Sequence, residues 1–428
     1  MPWLFLAVCI VGAAFTANAL RPTRNHQFIV GSFFAAWLTG ELALWHLAWQ
    51  VVATAVFISL GALDAWPGWV ALGITLVSWA GLAWIIAVSL QAAHVVEQAL
   101  RDGLGPEYLD EIAGQGPRRR PRRTALRRLA IPFLLRHRNV RRVKNVRYAD
   151  GAGRRHLLDV WHAKGHGDRA PVLLQIHGGG WVIGDKAQQG LPLMLQLAAR
   201  GWVCVAINYR LSPKATFPDH LVDCKLALAW IREHIGAYGG DPDFVVVTGG
   251  SAGGHLAALT ALTANDPEYQ VGFESVDTTV QACVPFYPPT DLVDLFRFGR
   301  EKASRIGDRF AKMLMGTTPA SDPDGWRNAS PVAHVHEGAP AFFVVHGSAD
   351  NLVPVHQTRA FVAELRAMSA APVCYAEIPG ASHAFEIFHS MRADAAVDGV
   401  DRFLAWLEAD RSAVPVIRQD RTTFDDRA

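Results

Sequence analysis

Few charges and few cysteines set the first limits on this chain. Only 19% of its 428 residues are charged, against 50% hydrophobic, and the formal charge is +2. With a mean hydropathy of +0.14, a disordered or collagen-like chain is excluded. The length allows one large domain or two to three average ones. The five cysteines (Cys9, Cys204, Cys224, Cys283 and Cys374) form no CxxC pair. An odd, scattered set excludes a disulfide framework and a zinc site, and points to a reducing compartment. No motif calls for a metal or an organic cofactor.

The scarcity of charge is uneven. Residues 1–100 hold five charged side chains: Arg21, Arg24, Glu41, Asp64 and Glu97. Residues 118–147 hold thirteen Lys and Arg and no acid, and residues 148–428 carry a balance of −7. Three pieces under different solvent conditions follow from this.

Trp66 to Leu90 runs 25 residues without a charged, Asn, Gln or His side chain. About 20 helical residues cross a hydrocarbon core of about 30 Å, so this run is a transmembrane helix. Trp3–Leu20 is a shorter span, and Phe28–Leu63 reads as one long, tilted or broken helix. The alternatives are four spans, or a signal peptide ending at Ala17-Asn18-Ala19; the n-region Met1-Pro2-Trp3 lacks side-chain charge and argues against the latter. With three spans, the Arg21/Arg24 loop and everything after 100 lie on one side. Both are basic, whereas the connection near Asp64 is not, so the positive-inside rule puts the rest of the chain in the cytoplasm, anchored at the plasma membrane. Glu41 has no identifiable partner and reads as a neutralised or helix-paired carboxylate.

Residues 118–147 contain RRRPRR and LRRLAIPFLLRHR. Such a charge run invites a nucleic-acid reading, but no recognition motif interleaves it and a membrane helix precedes it. Contact with anionic headgroups is the better reading, with Leu126, Leu129, Ile131, Phe133 and Leu134 lying on the bilayer or on the next domain.

From residue 148 the pattern is α/β. Strands are expected at His156–Trp161, Val172–Ile176, Val203–Ile207, Phe244–Thr248, Gln281–Phe286, Phe342–Val345 and Val373–Ile378. Helices are expected near 187–200, 219–235, 252–264, 355–369 and 393–409. Continuous apolar strands with helical crossovers make a mostly parallel sheet covered on both faces. The resulting plan has a helical membrane region over 1–100 and a basic juxtamembrane segment over 101–147. An α/β domain follows over 148–410, then a polar tail over 411–428. The apolar stretch 287–330, with Phe286, Tyr287, Leu295, Phe296, Phe298 and Met313–Met315, is either a cap over the site or an ordinary connection.

On that scaffold Gly249-Gly250-Ser251-Ala252-Gly253 falls between a strand and a helix, where a serine hydroxyl projects from a sharp turn. His177-Gly178-Gly179-Gly180-Trp181 follows another strand, and successive glycines let backbone N–H groups approach a developing oxyanion. A serine nucleophile needs a base, and the base needs an orienting carboxylate. Asp350 and His383 each end a later strand, in the order this fold uses. Asp291 and Asp294 are alternatives to Asp350. Among other histidines, His177 fixes the glycine loop, while His346, His356 and His389 read as structural or solvated.

HGGGW at 177–181, YRLSPKATFP at 209–218, GGSAGG at 249–254 and the surroundings of Asp350 and His383 match in order. On these residues the segment from about 150 to 410 resembles the α/β-hydrolase superfamily, specifically the hormone-sensitive-lipase-like carboxylesterases, in a membrane-anchored form like those of mycobacteria. The resemblance implies Ser251 as nucleophile, His383 as base, Asp350 as its partner, and the N–H groups of Gly179, Gly180 and Ala252 as oxyanion donors. It implies hydrolysis of small-molecule or lipid esters with short to medium acyl chains, without cofactor or metal. Gly250, in place of an acidic residue, and the sequence Asp350-Asn351-Leu352-Val353-Pro354 are closer to neighbouring esterase and arylformamidase-like branches. An amidase or formamidase, an acyltransferase, and an inactive hydrolase fold serving as a membrane scaffold or receptor are the competing readings.

Overall fold

The computed structural model describes residues 1–23, 25, 28–112, 126–165, 167–297 and 305–413. The run RRRPRR, Phe298 and the tail beyond 413 lie outside the described residues.

An eight-stranded sheet organises the chain: β1 (Val140–Arg147), β2 (Leu157–Ala163), β3 (Ala170–Ile176), β4 (Val203–Ile207), β5 (Gly240–Gly250), β6 (Ala282–Phe286), β7 (Ala341–Gly347) and β8 (Val373–Ile378). Their spatial order is β1-β2-β4-β3-β5-β6-β7-β8. β1, β2 and β4 pair antiparallel, and every pair from β4 through β8 is parallel. The central strands carry apolar side chains on both faces because helices cover both. One face packs Leu174, Val205, Val247, Cys283 and Val344 against the helices Asp219–His234, Ala252–Leu262 and Val355–Met368. The other packs Leu173, Cys204, Val246, Val284 and Phe343 against Leu191–Ala199 and Met391–Ala413. All five cysteines are buried and free.

β1 is the strand that the sequence reading lacks. It lies inside the basic segment, where arginine and lysine interrupt Val140, Val143 and Val146, so no apolar run marks it. Pairing with β2 leaves its charges outward, except that Arg142 reaches back to buried Asp159, its Nε donating to Oδ2 at 2.8 Å.

Pro2–Leu20 and Trp66–Leu104 are long and apolar enough to cross a membrane. Ile29–Glu41 and Ala43–Ser59 are bent by 84° at Leu42 and make a third span only if taken together. Phe28–Leu63 is therefore broken rather than one continuous helix. The helix at 66 is interrupted at Leu90-Gln91 and continues as Ala92–Leu104 into the α/β body, burying Val96, Ala99 and Leu100 on the second sheet face. A Cβ at Gly103 would lie 2.4 Å from Cys374 Sγ, so this approach requires glycine.

Candidate active site

The register of the parallel strands assembles the site. Ile176 stands beside Gly249, Gly250 beside Phe286, Phe286 beside Val345, and Gly347 beside Ile378. The segments leaving β3, β5, β6, β7 and β8 thus emerge at one sheet edge, where ligands bind in open α/β sheets. They carry His177–Gly180, Ser251, Tyr287, Asp350 and His383 respectively.

Ser251 has φ +58° and ψ −124°, a conformation that forces the chain to reverse between β5 and the helix Ala252–Leu262. Its N–H donates to Phe286 O at 2.9 Å, and its carbonyl accepts from His255 N–H at 2.9 Å. A Cβ at Gly253 would come within 2.1 Å of Ile176 O, so glycine is needed for helix and β3 to meet this closely. Ala252 opens the helix, and its N–H has no intrahelical acceptor.

The glycine loop lies directly against the serine. A Cβ at Gly178 would stand 3.1 Å from Ser251 Cβ, and Gly179 and Gly180 take φ of +116° and +59°. Val182 and Ile183 N–H donate back to Gly179 O. His177 supports this loop from beneath: its ring stacks on Tyr209 at 4.4 Å, Nδ1 lies 2.7 Å from Gly178 O, and Tyr209 Oη donates to His177 O. The YRLSP segment is therefore a buttress, and Ser212 N–H also donates to Trp181 O.

Asp350 and His383 lie together, with Nδ1 and Oδ2 2.6 Å apart and both side chains buried. Oδ1 accepts from the N–H groups of Leu352 and Val353 at 2.8 and 2.9 Å. His346 is buried and adds its Nε2 at 3.3 Å from Oδ2. Burial pushes the Asp350 carboxyl up, but the two histidines outweigh it and hold it below the usual carboxylate range. Asp294 is engaged elsewhere by His356 and Gln357, and Asp291 accepts from Asp294 N–H. His389 pairs with Asp394.

Three neighbours of His383 carried no local signal in the sequence. Tyr287 sets its ring 4.4 Å from the imidazole, and a Cβ at Gly250 would lie 2.6 Å from Tyr287 Oη, so His383 and Gly250, the residue before Ser251, pack against one tyrosine. That hydroxyl donates to buried Glu386, whose pKa burial raises to about 7. Phe33, from the apolar helix Ile29–Glu41, stands edge-on 6.0 Å from the His383 ring.

Glu41 is correspondingly not an unpartnered membrane carboxylate. Its Oε1 pairs with Arg392 Nη1 at 3.1 Å, and its Oε2 accepts from Ser390 Oγ at 2.6 Å. Arg392 Nε donates to Pro379 O, so the loop from 379 to 390, which carries His383, is fastened at both ends to one ion pair. The partner is 351 residues away along the chain, beyond any local reading. From the insertion, Phe310 approaches the position a Gly180 Cβ would occupy to 3.4 Å, which sets the helix Arg305–Met315 against the glycine loop.

Three buried histidines give the fold a pH limit. Burial lowers His177 and His220 to about 4 and His255 to about 3. An unfolded histidine takes up its proton near pH 6.5, so between there and about pH 4 only the unfolded chain gains these protons. Stability is therefore expected to fall as pH drops through that window, by roughly 1 kcal/mol per pH unit for each histidine. Asp350 adds its own loss only below about pH 4, where the unfolded carboxyl protonates. Denaturant midpoints measured from pH 7 to 5 test this: His255→Gln should flatten the slope, and an unchanged slope would refute the assignment.

Comparison with known proteins places the chain among carboxylic ester hydrolases. The BD-FAE domain family matches residues 158–365. The probable carboxylic ester hydrolase LipM of Mycobacterium tuberculosis is 40% identical over 418 residues, covering 95% of this chain and 94% of its own. The esterase LipQ of the same organism is 43% identical over 76% of each chain. Among solved structures, a truncated carbohydrate esterase from gut microbiota is 26% identical with a TM-score of 0.54, covering 61% of this chain and 96% of its own. Esterase B from Lactobacillus rhamnosis, 21% identical with a TM-score of 0.52 over 64% of this chain and 89% of its own, shares the fold. The likeness to LipM runs through the apolar helices as well as the sheet, and the chain belongs to the α/β-hydrolase carboxylesterases of the hormone-sensitive-lipase-like type, as an ester hydrolase acting on carboxylic ester bonds.

Proposed function

We propose that this esterase is anchored in the plasma membrane with its catalytic body in the cytoplasm, and that it cleaves short- to medium-chain acyl esters through a covalent acyl-enzyme on Ser251. The observation that carries the mechanism is the 2.6 Å contact of His383 with a buried, ionised Asp350 on the edge that also bears Ser251. Asp350 holds the Nδ1 proton, which leaves Nε2 free to take the serine proton as Oγ attacks the ester carbonyl. The N–H groups of Gly179, Gly180 and Ala252 receive the oxyanion, worth about 3–4 kcal/mol per donor in comparable sites. His383 returns the proton to the leaving alcohol, and water activated by the same imidazole then releases the acid.

The apolar helices support the membrane placement. Read as spans, Pro2–Leu20, the bent pair Ile29–Glu41 and Ala43–Ser59, and Trp66–Ser89 would keep Arg21 and everything after residue 100 on one side. Exposed Trp3 and Trp66, with rings 5.3 Å apart, mark the far interface. Phe33 beside His383 favours esters that partition into lipid.

A fluorophosphonate probe tests the reaction class. It is expected to label the purified full chain at Ser251 alone, and chromogenic acetate to octanoate esters are expected to turn over far faster than matched anilides or N-formyl substrates. A folded protein that resists labelling supports the scaffold reading instead, and preferred anilide cleavage the amidase reading.

A further inference from the structure

We propose that the segment Arg127–Arg138 builds a binding site for one anionic phospholipid, with the phosphate in a cleft of arginines and the acyl chains against Trp45. This rests on the membrane placement above. The cleft, of about 560 Å³, is lined by Arg127, Arg128, Arg136, His137, Arg138 and His389 on its polar side. Among the described residues none of its lining is acidic. Ile131 and Leu134 also line it, and the same two side chains line an adjoining groove of about 610 Å³ with Leu42, Trp45 and Phe133. That second groove is almost wholly apolar in its residues. A positive cleft and an apolar groove therefore share one wall.

The wall is built into the protein rather than trailing from it. Trp45 Nε1 donates to Leu129 O at 2.9 Å, tying the segment to the apolar helix Ala43–Ser59. His389 N–H donates to Pro132 O at 3.1 Å and the Phe133 ring lies 4.8 Å from Phe388, tying it to the catalytic body. Arg128 is held by Asp394 at 3.4 Å, the same carboxylate that His389 contacts. Yet Ile131 is 50% and Phe133 61% exposed, with Trp45 49% exposed beside them.

Water satisfies neither half well. Large apolar side chains gain by leaving it, whereas clustered guanidinium groups gain from a phosphate, which they bind with charge-assisted, often bidentate, hydrogen bonds. A free phosphate would satisfy only the cleft, and a nucleic acid has nothing to lay on Ile131, Phe133 and Trp45. A two-chained anionic lipid satisfies both, at the depth where a membrane helix begins.

The test uses the full chain in nanodiscs of phosphatidylcholine with or without phosphatidylglycerol, followed by native mass spectrometry of lipids retained after release. Wild type is expected to retain phosphatidylglycerol over phosphatidylcholine, and Arg136→Gln with Arg138→Gln is expected to reduce that preference about ten- to thirtyfold. Both arginines are exposed and far from Ser251 in sequence and role, so ester turnover in detergent checks that the variant is folded. Equal retention of the two lipids by wild type, an unchanged preference in the variant, or equal binding of soluble glycerol phosphate overturns the proposal. Release of the protein from membranes by alkaline carbonate would instead overturn the membrane placement, and the lipid site with it.

Discussion

Asparagine at position 350 is expected to lower kcat by about 10³- to 10⁴-fold while leaving the fold in place. The two oxygens of Asp350 do different work. Oδ1 accepts from the N–H groups of Leu352 and Val353, and Oδ2 faces His383 Nδ1. An asparagine must keep its carbonyl on the backbone side, because an amide NH₂ there would confront two donors. Its NH₂ then points at His383 and donates to Nδ1. The imidazole proton moves to Nε2, and the ring can no longer accept from Ser251. Because the backbone contacts survive while the charge that the two histidines favour is lost, Asp350→Asn should destabilise the fold less than Asp350→Ala, which forfeits contacts and turnover together. Chromogenic ester hydrolysis beside a melting curve checks this, and an Asn variant with near-normal kcat would show that Asp350 does not orient the base.

Alanine at position 251 is expected to remove at least about 10⁴-fold of turnover and all fluorophosphonate labelling. The substitution keeps Cβ, so the reversed backbone at φ +58° and the contact with Gly178 remain as they are. Only the hydroxyl goes, and the side chain is half-buried, so stability should move by less than about 1 kcal/mol. The residual rate is that of a site which still presents N–H donors to an ester but has no nucleophile of its own. Retention of a tenth of the wild-type rate would place the nucleophile elsewhere.

Much of this site was readable because each part carries its own local signature. Ser251, the 177–181 loop, Asp350 and His383 each follow an apolar strand and sit among glycine or proline, so strand order alone sends them to one edge. What escaped the sequence is what depends on distance. Tyr287 reads as one more apolar residue after β6 until its ring is seen against His383. Glu386 gains meaning only from the tyrosine it accepts from. β1 hides because its valines are separated by arginines whose charges face outward. Glu41 looked solitary because apolarity was averaged along the chain, and its counter-ion lies at the start of the last helix.

On the proposed membrane placement, the ion pair between Glu41 and Arg392 would give the bilayer a hand in the chemistry. The loop bearing His383 is moored, through buried charge, to the helix Ile29–Glu41, which turns by 84° into the apolar helix Ala43–Ser59. In the proposed bilayer, lateral pressure, thickness and fluidity of the lipid would act on that helix and so on the seating of the imidazole. A bilayer that shifted the mooring would detune the catalyst without touching its reacting atoms, which would make the physical state of the envelope one of its working conditions.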